Sequence, residues 1–338
     1  MTHPVDDQRP SQDALLSIVV PVYQSEPCLE PLLERIHQAM ASRGITCEVI
    51  LVNDGSRDGS WRVIETLCAR HSHVIGVNHR RNFGQENATM TGMRLARGGL
   101  VATMDDDLQN DPFDLLLMID ALHANHSDVV YGFMVPEHEP FWKRFGREVN
   151  NKTLEWLLNK PKNVRFTSFR LMTRETCQAI LFYEGAFPFV DTLISQVTTK
   201  YMHIRVGHRE RHAGVSNFTL FKSIQTWMRV VVSFSVTPLR FVTFTGIAIA
   251  LLGMLAALLV VMQKLFMPEE FSPYDAGWAS LMVVMLIMNG MQMCFIGILG
   301  EYVGRSYVLL SRRPQSIIAK VLNAPHPALS ERMPHESR

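Results

Sequence analysis

The chain has 338 residues, enough for more than one domain, and its formal net charge of +1 argues against a nucleic-acid partner. Its five cysteines form no C-x-x-C pair, which argues against a disulfide framework and a thiolate zinc site and favours a reducing compartment. Hydrophobic residues make up 47% of the chain, but they are unevenly distributed. Residues 1–235 are typical of a soluble α/β protein, and residues 236–310 are not.

The first part of the chain alternates strands with helices. Residues 1–14 are polar and proline-containing, so we expect a disordered tail there. Apolar runs predict strands at 15–22, 48–53, 73–78, 100–105 and 128–133. Helical spacing predicts helices at 25–43, 58–70, 85–97, 112–124, 141–158 and 173–196, with a further strand at 164–172. Near-continuously apolar strands between helices are typical of a parallel sheet covered on both faces.

Three consecutive acids, Asp105, Asp106 and Asp107, follow the fourth predicted strand. If the strand stays extended, Asp105 and Asp107 share a face and Asp106 points away. Asp111 and Pro112 then predict a helix start, with Asp as the N-cap. Adjacent acids at a buried strand end repel one another, and a divalent cation with oxygen ligands relieves that cost. A solvated acidic turn is the alternative, but open α/β sheets bind ligands at this edge.

A second acidic cluster begins at Asp54, at the end of the second predicted strand. Its spacing fits an EF-hand loop, but an apolar strand precedes it where an EF-hand needs a helix, and Arg57 adds positive charge. Neither a dinucleotide-binding G-x-G-x-x-G nor a P-loop is present. His208 and His212 are four residues apart, but no third zinc ligand accompanies them. We therefore expect Asp54 to line the same crevice as Asp105, and Asp58 to cap the next helix.

The C-terminal third predicts a membrane anchor. Residues 219–236 predict an amphipathic helix at a membrane surface, with a core-facing helix as the alternative. Residues 241–262 and 276–300 carry no charge, and each stretch is long enough to cross a bilayer core of about 30 Å. We expect spans at 237–263 and 276–303, a loop at 264–275 and a basic tail at 304–338. Positive residues outside the spans place both termini in the cytoplasm.

Eight short elements follow one another between residues 15 and 318. They are Val20-Pro21-Val22-Tyr23, Val52-Asn53-Asp54-Gly55-Ser56, Arg81-Asn82-Phe83-Gly84-Gln85, Met104-Asp105-Asp106-Asp107-Leu108-Gln109, Phe169-Arg170-Leu171, Arg211-x-x-Gly214-x-Ser216, Thr237-Pro238-Leu239-Arg240 and Gly300-Glu301-Tyr302-Val303-Gly304-Arg305. In this order the elements resemble those of the family-2 glycosyltransferases of the GT-A fold. More narrowly, the chain is similar to the bacterial polyisoprenyl-phosphate glycosyltransferases, the group with the undecaprenyl-phosphate formamido-arabinose transferases, glucosyl transferases and dolichol-phosphate mannose synthases.

This resemblance implies roles for individual residues. Asp105, Asp107 and Arg170 would be catalytic, and Asp107 and Gln109 would bind Mg²⁺ or Mn²⁺. The donor would contact Pro21, Tyr23, Asp54, Arg81, Gly84, Asp105, Arg211 and Ser216. The acceptor phosphate would meet Lys143, Arg144, Arg147 and Arg170. Three positions depart from the family's usual pattern, namely Ser25, Ser168 and Asn217.

The resemblance implies an inverting enzyme that moves a sugar from a nucleotide donor, a UDP-sugar, to undecaprenyl phosphate. It would act at the cytoplasmic face of the bacterial inner membrane, in cell-envelope or lipopolysaccharide modification. A lipid phosphate has a second pKa of about 6 if it behaves like a phosphoserine, so no strong general base is required. A processive polysaccharide synthase and a non-catalytic nucleotide-binding scaffold are the alternatives. The sugar, the lipid length and the oligomeric state stay open.

Overall fold

The structure is a computed structural model that describes residues 15–133, 166–185, 188–207, 237–266, 277–310 and 314–324. Its strands are β1 Leu15–Val22, β2 Thr46–Asn53, β3 Val74–His79, β4 Leu100–Thr103, β5 Val129–Phe133, β6 Arg170–Thr173, β7 Tyr201–Arg205 and β8 Ile318–Leu322. Its helices are α1 Glu26–Ala41, α2 Ser60–Arg70, α3 Gln85–Leu95, α4 Pro112–Ala124, α5 Arg174–Leu181, α6 Val190–Val197, α7 Thr237–Phe266 and α8 Gly277–Leu310.

The strands form one eight-stranded sheet in the order β7-β5-β6-β4-β1-β2-β3-β8. The pairs β1–β2, β1–β4, β2–β3 and β5–β7 are parallel. Strand β6 runs antiparallel to both of its neighbours, and β8 runs antiparallel to β3. The predicted α/β class with a mostly parallel sheet is confirmed, whereas the antiparallel direction of β6 and the existence of β8 were not predicted.

Helices cover both faces of the central strands. On β1, the alternate residues Leu16, Ile18 and Val20 belong to a core that also includes apolar residues of α1, α2 and α4. The opposite face of β1 meets α3, where the Cα of Gly92 lies so close to Val19 that a Cβ there would come within 2.3 Å of it. The sheet is therefore buried on both sides, and ligands can reach its central strands only at their ends.

Two predictions beyond β5 were wrong in detail. The single helix expected at 173–196 is two helices, α5 and α6, because Gly185 and Pro188 interrupt the pattern between them. The strand expected at 164–172 begins outside the described residues, and within residues 166–173 only Arg170–Thr173 form a strand. Strand β7 was not predicted. Each of these elements is short. For β6 and β7, pairing with neighbouring strands, rather than the spacing of apolar residues in the sequence, decides where the strand begins and ends.

The chain divides into two units, of which the second comprises residues 218–311. Its described elements are α7 and α8, which contact each other; α7 contains the predicted span at 237–263, and α8 contains residues 277–303 of the other. Counting only described residues, neither helix is both long and apolar enough to cross a membrane. The predicted interfacial helix at 219–236 and the loop at 264–275 lie largely outside the described residues.

The predicted basic tail at 304–338 is structured over part of its length. Residues 304–310 extend α8, and β8 joins the edge of the sheet beside β3. The side-chain amide of Asn323, just after β8, donates to the carbonyls of Cys68 and Val74 at 2.7 and 2.9 Å. Lys320 pairs with Glu65 at 2.8 Å. The C-terminal segment is thus part of the sheet domain.

Candidate active site

The carboxyl ends of β1, β2 and β4 surround a cavity of about 250 Å³. We call it the strand-end cavity, and it is lined by Pro21, Val22, Tyr23, Asp54, Asn82, Gln85, Asp105, Asp106 and Asp107. Five of the residues singled out from the sequence therefore come together here, namely Pro21, Tyr23, Asp54, Asp105 and Asp107. The predicted crevice shared by the two acidic clusters is confirmed.

All three acids after β4 face this cavity, which corrects the expectation that Asp106 points away. The strand expected to reach Asp105 ends at Thr103, and the backbone then bends. Leu108 adopts a φ of +62°, a value that side-chain-bearing residues seldom take. Side chains stop alternating once the strand ends, so the extended-chain argument fails one residue before the acids begin.

Asp105 is held by two side chains. Gln85 Nε2 donates to its Oδ1 at 2.7 Å, and the hydroxyl of Ser168 donates to its Oδ2. Burial raises the pKa of Asp105, and the nearby Asp107 raises it further, while the bond from Ser168 opposes this. Ser168 is one of the departures from the family pattern, and here it acts as a hydrogen-bond donor to the acid.

Asp106 contacts the loop that follows β1. Its Oδ2 accepts a hydrogen bond from the backbone N–H of Tyr23 at 3.0 Å. Burial raises the pKa of Asp106 to about 6, and the charges of Asp105 and Asp107 contribute to the rise. Together with Asp107, which lines the same cavity, these acids form an oxygen-rich donor set of the kind that Mg²⁺ and Mn²⁺ prefer. The residues present therefore fit a divalent cation.

Asp107 lies in a tight turn, with its Oδ1 accepting the backbone N–H of Gln109 at 3.2 Å. Asp111 caps α4 as predicted, because its side chain accepts the N–H of Phe113. Arg35 of α1 fixes that cap with two hydrogen bonds to the Asp111 carboxylate, at 2.9 and 3.1 Å. The acidic loop is thus fixed at Asp111, where α4 begins. The metal-binding roles of Asp107 and Gln109 stay predictions.

Asp54 accepts hydrogen bonds from the loop between β3 and α3. Its carboxylate accepts the backbone N–H groups of Phe83 and Gly84 at 2.8 and 2.7 Å, and it contacts His79 Nδ1 at 2.9 Å. Asp54 and His79 are each only 2% exposed. The carboxylate is therefore already occupied by protein donors, and the predicted contact of Asp54 with base and ribose stays a prediction.

The loop that Asp54 holds also requires glycine at two positions. Gly84 has a φ of +96°, and Gly55 has a φ of +67°. A Cβ on Gly55 would lie 2.5 Å from the backbone carbonyl carbon of Arg81. The exposed Arg81 places its guanidinium 4.7 Å from the centre of the Phe83 ring. Loops from β2 and β3 are thus packed backbone to backbone beside the cavity.

The loop after β1 is tied to the loop after β2. The backbone N–H of Gln24, at a φ of +55°, donates to Ser56 Oγ at 3.0 Å, and that of Ser25 donates to Ser60 Oγ at 3.1 Å. Asp58 accepts the N–H of Ser60, the first residue of α2, at 3.1 Å, but the N-cap of this helix is Gly59, so the prediction that Asp58 is the cap is wrong by one residue. Strand β2 precedes this loop where an EF-hand would have a helix, which confirms that the EF-hand interpretation is wrong.

Arg170 lies in β6 and is only 2% exposed. Its guanidinium forms an ion pair with Asp191 of α6, and its Nε donates to Thr103 Oγ1 at 3.0 Å. Thr103 Oγ1 in turn donates to the carbonyl of Ser168 at 2.6 Å. A guanidinium committed to these partners is not poised to receive an acceptor phosphate. The structure instead connects Arg170 to Asp105 through Thr103 and Ser168.

Several predicted site residues lie outside the described residues. They are Lys143, Arg144 and Arg147 for the acceptor phosphate, Arg211 and Ser216 for the donor, and the departure at Asn217. His208 and His212 also lie there. Conversely, sequence reasoning gave no role to Gln85, Asn82 or Ser168. Gln85 and Asn82 stand inside the Arg81–Gln85 element, which was the signal available, whereas only the fold brings Ser168 to Asp105.

Comparison with known proteins shows the family. The model of glycosyl transferase family 2 matches residues 17–184. An undecaprenyl-phosphate 4-deoxy-4-formamido-L-arabinose transferase of Pseudomonas aeruginosa is 31% identical over 321 residues, which cover 93% of this chain and 92% of that protein. The chain belongs to glycosyl transferase family 2. Proteins with the same description from Aeromonas hydrophila and Klebsiella pneumoniae are 30% and 31% identical, and the alignments cover 92% and 94% of this chain and 94% and 96% of theirs.

Solved structures resemble the sheet domain more distantly. Glucosyl-3-phosphoglycerate synthase from Mycobacterium tuberculosis, crystallised with Mn²⁺ and UDP-glucose, has a TM-score of 0.48 and 16% identity. The match covers 65% of this chain and 77% of that chain. The membership of the family makes this chain a glycosyltransferase, and its mostly parallel α/β sheet is the GT-A arrangement expected for that family.

Proposed function

We propose that this glycosyltransferase moves a sugar from a nucleotide-diphosphate donor to undecaprenyl phosphate. The observation that carries the proposal is the strand-end cavity, where Asp105, Asp106 and Asp107 face the exposed side chain of Tyr23 across the ends of β4 and β1. Relatives over more than nine tenths of the chain are described as undecaprenyl-phosphate sugar transferases. The lipid acceptor and the class of reaction come from those relatives, and the donor site comes from the cavity.

The donor would lie with its base and ribose beside Pro21 and Tyr23 and its diphosphate near the three acids. Asp107 and Gln109 would hold Mg²⁺ or Mn²⁺, which would offset the negative charge of the diphosphate. The protein's own contribution is alignment, because Asp105 is fixed by Gln85 and Ser168. An anionic phosphate oxygen is already a competent nucleophile, so the site has to orient it rather than deprotonate it. Attack opposite the diphosphate inverts the anomeric centre.

Arg170 takes a different role from the one expected. We infer that it positions Asp105, because the chain of contacts Arg170–Thr103–Ser168–Asp105 connects the buried ion pair to the cavity. Arg170→Lys keeps the charge but loses the forked geometry. We expect kcat to fall while the KM for the lipid acceptor changes little. If Arg170→Lys instead raises the KM for the lipid acceptor and leaves kcat unchanged, Arg170 binds the acceptor phosphate as first expected.

We also propose that residues 237–263 and 276–303, taken over the full sequence rather than the described residues alone, anchor the enzyme in the bilayer, with the sheet domain in the cytoplasm. Residues 241–262 and 276–300 carry no charge, and α7 and α8 expose large apolar side chains such as Phe244, Leu252 and Met293. The chain leaves the sheet domain after β7 and rejoins it at β8. If the sheet domain lies on one side of the membrane, the chain must cross the bilayer an even number of times between β7 and β8.

Transfer can be tested with purified full-length protein in nanodiscs that contain undecaprenyl phosphate. Each of a panel of radiolabelled UDP-sugars is supplied, and the product is separated as a lipid-linked monosaccharide. We expect one sugar on the lipid, and no product when undecaprenol replaces undecaprenyl phosphate. A growing polymer would favour the processive synthase, and binding of UDP without any product across the panel would favour the scaffold.

Topology can be tested by labelling with a membrane-impermeant maleimide after the five native cysteines are replaced by alanine. Ser272→Cys lies between the proposed spans, and Ala319→Cys lies at an exposed position of β8. In intact spheroplasts we expect labelling of the first variant alone. Labelling of the second without lysis would contradict a cytoplasmic sheet domain.

A further inference from the structure

Three histidines from two parts of the sequence meet away from the strand-end cavity. His37 lies on α1, His71 follows α2, and His73 precedes β3. Their metal-ligating ring nitrogens all lie within 4.8 Å of one another. The ring centres are 4.8 to 5.7 Å apart, and each side chain is partly exposed. We call this group the histidine cluster.

The backbone that carries the cluster is well anchored. The N–H of His71 donates to the carbonyl of Leu67 at 2.9 Å, which ends α2. The carbonyl of His73 accepts the N–H of Val49 in β2 at 3.0 Å. The carbonyl of His71 accepts the N–H of Val74 at 3.1 Å, so the turn closes on itself. Two of the three imidazoles are therefore presented by one fixed turn, and α1 supplies the third.

The geometry suits a cation better than it suits hydrogen bonding alone. His37 Nε2 and His73 Nε2 are 2.6 Å apart, and two neutral imidazoles can share only one proton between these atoms. Zinc binds imidazole at about 2.0–2.1 Å, so two nitrogens of a tetrahedral site lie about 3.3 Å apart. The 2.6 Å pair is closer than that value, and the three candidate ligand nitrogens all lie within 4.8 Å of one another.

The surroundings of two of the rings disfavour the charged imidazolium. Burial lowers the pKa of His37, and the neighbouring His73 and His71 lower it further. Burial and His71 likewise lower the pKa of His73. Metal ligation requires neutral imidazole, so these shifts are in the direction that favours binding, while the proposal itself rests on the geometry of the cluster.

We propose that His37, His71 and His73 bind a divalent transition metal of the zinc class. Three imidazoles are ligands for zinc, whereas the carboxylates of the strand-end cavity suit Mg²⁺ or Mn²⁺. The turn between α2 and β3 lies at the amino end of the parallel strands, and Asp54 follows the carboxyl end of β2. The metal would therefore cross-link α1 to the α2–β3 turn at the edge of the sheet opposite the donor site.

The test is zinc binding by full-length protein in detergent, after removal of any affinity tag and in excess Mg²⁺ to occupy the carboxylates. Bound zinc is counted by mass spectrometry after dialysis, and affinity is measured by competition with a chelating dye. We expect about one zinc per chain and a rise in Tm on zinc addition. In His37→Asn, His71→Asn and His73→Asn, affinity should fall at least about tenfold, or about 1.4 kcal/mol. His123→Asn, at an exposed position of α4, is the control and should bind as wild type does.

A spectroscopic measurement keeps the proposal separate from folding defects. Cobalt in a tetrahedral imidazole site gives visible absorption bands that Mg²⁺-competed carboxylates do not. We expect these bands in wild type and in His123→Asn and their loss in His73→Asn, with UDP binding unchanged in all three. Wild type that binds no zinc beyond the level of His73→Asn would overturn the proposal. So would cobalt bands that persist in all three cluster variants.

Discussion

The ends of β2 and β4 carry acidic clusters of opposite character. At the end of β2, Asp54 is buried, and backbone N–H groups of Phe83 and Gly84 already occupy its carboxylate. At the end of β4, burial and mutual repulsion raise the pKa of Asp105 and Asp106. The first cluster is complete within the protein, whereas the second is electrostatically costly until a cation joins it. Under the proposed function, the first cluster would hold the loops of the donor site in place, and the second would bind the cation.

This difference could not be seen in the sequence, where both clusters read as a strand followed by acids. What separates them is the partner loop. Asp54 meets backbone donors from the β3–α3 loop, while the β4 acids meet one another and a few side chains. Substitutions should therefore affect stability at one strand end and transfer at the other.

The largest effect should come from Asp107→Asn. Loss of one carboxylate from the cation site should lower kcat for transfer by at least about 10³-fold, or about 4 kcal/mol, since charge stabilisation at the diphosphate is lost. The Tm of the metal-free protein should be unchanged or slightly raised, because repulsion with Asp105 and Asp106 is relieved. Steady-state transfer assays and thermal scans in EDTA measure the two quantities. A large fall in the Tm of Asp107→Asn would instead mean that Asp107, like Asp54, mainly stabilises the fold.

Asp54→Asn should show the reverse pattern. An amide can accept with its oxygen but presents N–H groups where protein donors now point, so the free energy of unfolding should fall by about 3 kcal/mol. Asp120→Asn is the control, since Asp120 and its partner Arg43 have half-exposed side chains and their pairing contributes less than about 1 kcal/mol. Denaturant unfolding of both variants gives the comparison. Equal stability of the two would mean that the Asp54 contacts contribute little.

Gly55→Ala tests the close packing of the β2 and β3 loops. A Cβ would overlap the Arg81 backbone, and the φ of +67° adds strain, so we expect a loss of about 2 kcal/mol. Gly44→Ala is matched in backbone conformation, with a φ of +63°, but has open space around it. Its loss should be about 1 kcal/mol. If both lose the same amount, strain alone explains Gly55.

The smallest expected effect is a pH dependence of the metal-free protein. Asp106 has a pKa of about 6 in the fold against an ordinary value of 3.8, so the folded chain holds this proton more tightly. Unfolding then releases a proton between those values, and stability falls as pH rises through them. Relative to Asp106→Asn, wild type should lose about 1 kcal/mol between pH 5 and pH 7. Saturating Mn²⁺ should abolish the difference, and an opposite sign would contradict the raised pKa.

The elements that could be predicted from sequence are those whose local signal agrees with the fold. Strand β1 and helix α4 follow the prediction closely, because apolar runs and the Asp111 cap act locally. The position of Asp106 could not be predicted, since it depends on β4 ending at Thr103. Two of the five residues of β8 are exposed, and one of these is Lys320. The strand therefore forms because it pairs with β3 and not because its sequence is apolar. The expected role of Arg170 came from a family motif. Its burial against Asp191 depends on tertiary structure, which the motif does not reveal.

The most direct test is UDP binding by calorimetry, with and without Mn²⁺, in wild type, Asp107→Asn and Asp106→Asn. Wild type should bind UDP at least about tenfold more tightly with Mn²⁺, a gain of about 1.4 kcal/mol. Asp107→Asn should lose this gain while it retains metal-independent binding, and Asp106→Asn should keep most of it. Equal Mn²⁺ enhancement in wild type and Asp107→Asn would contradict the assignment of the β4 acids as the cation site.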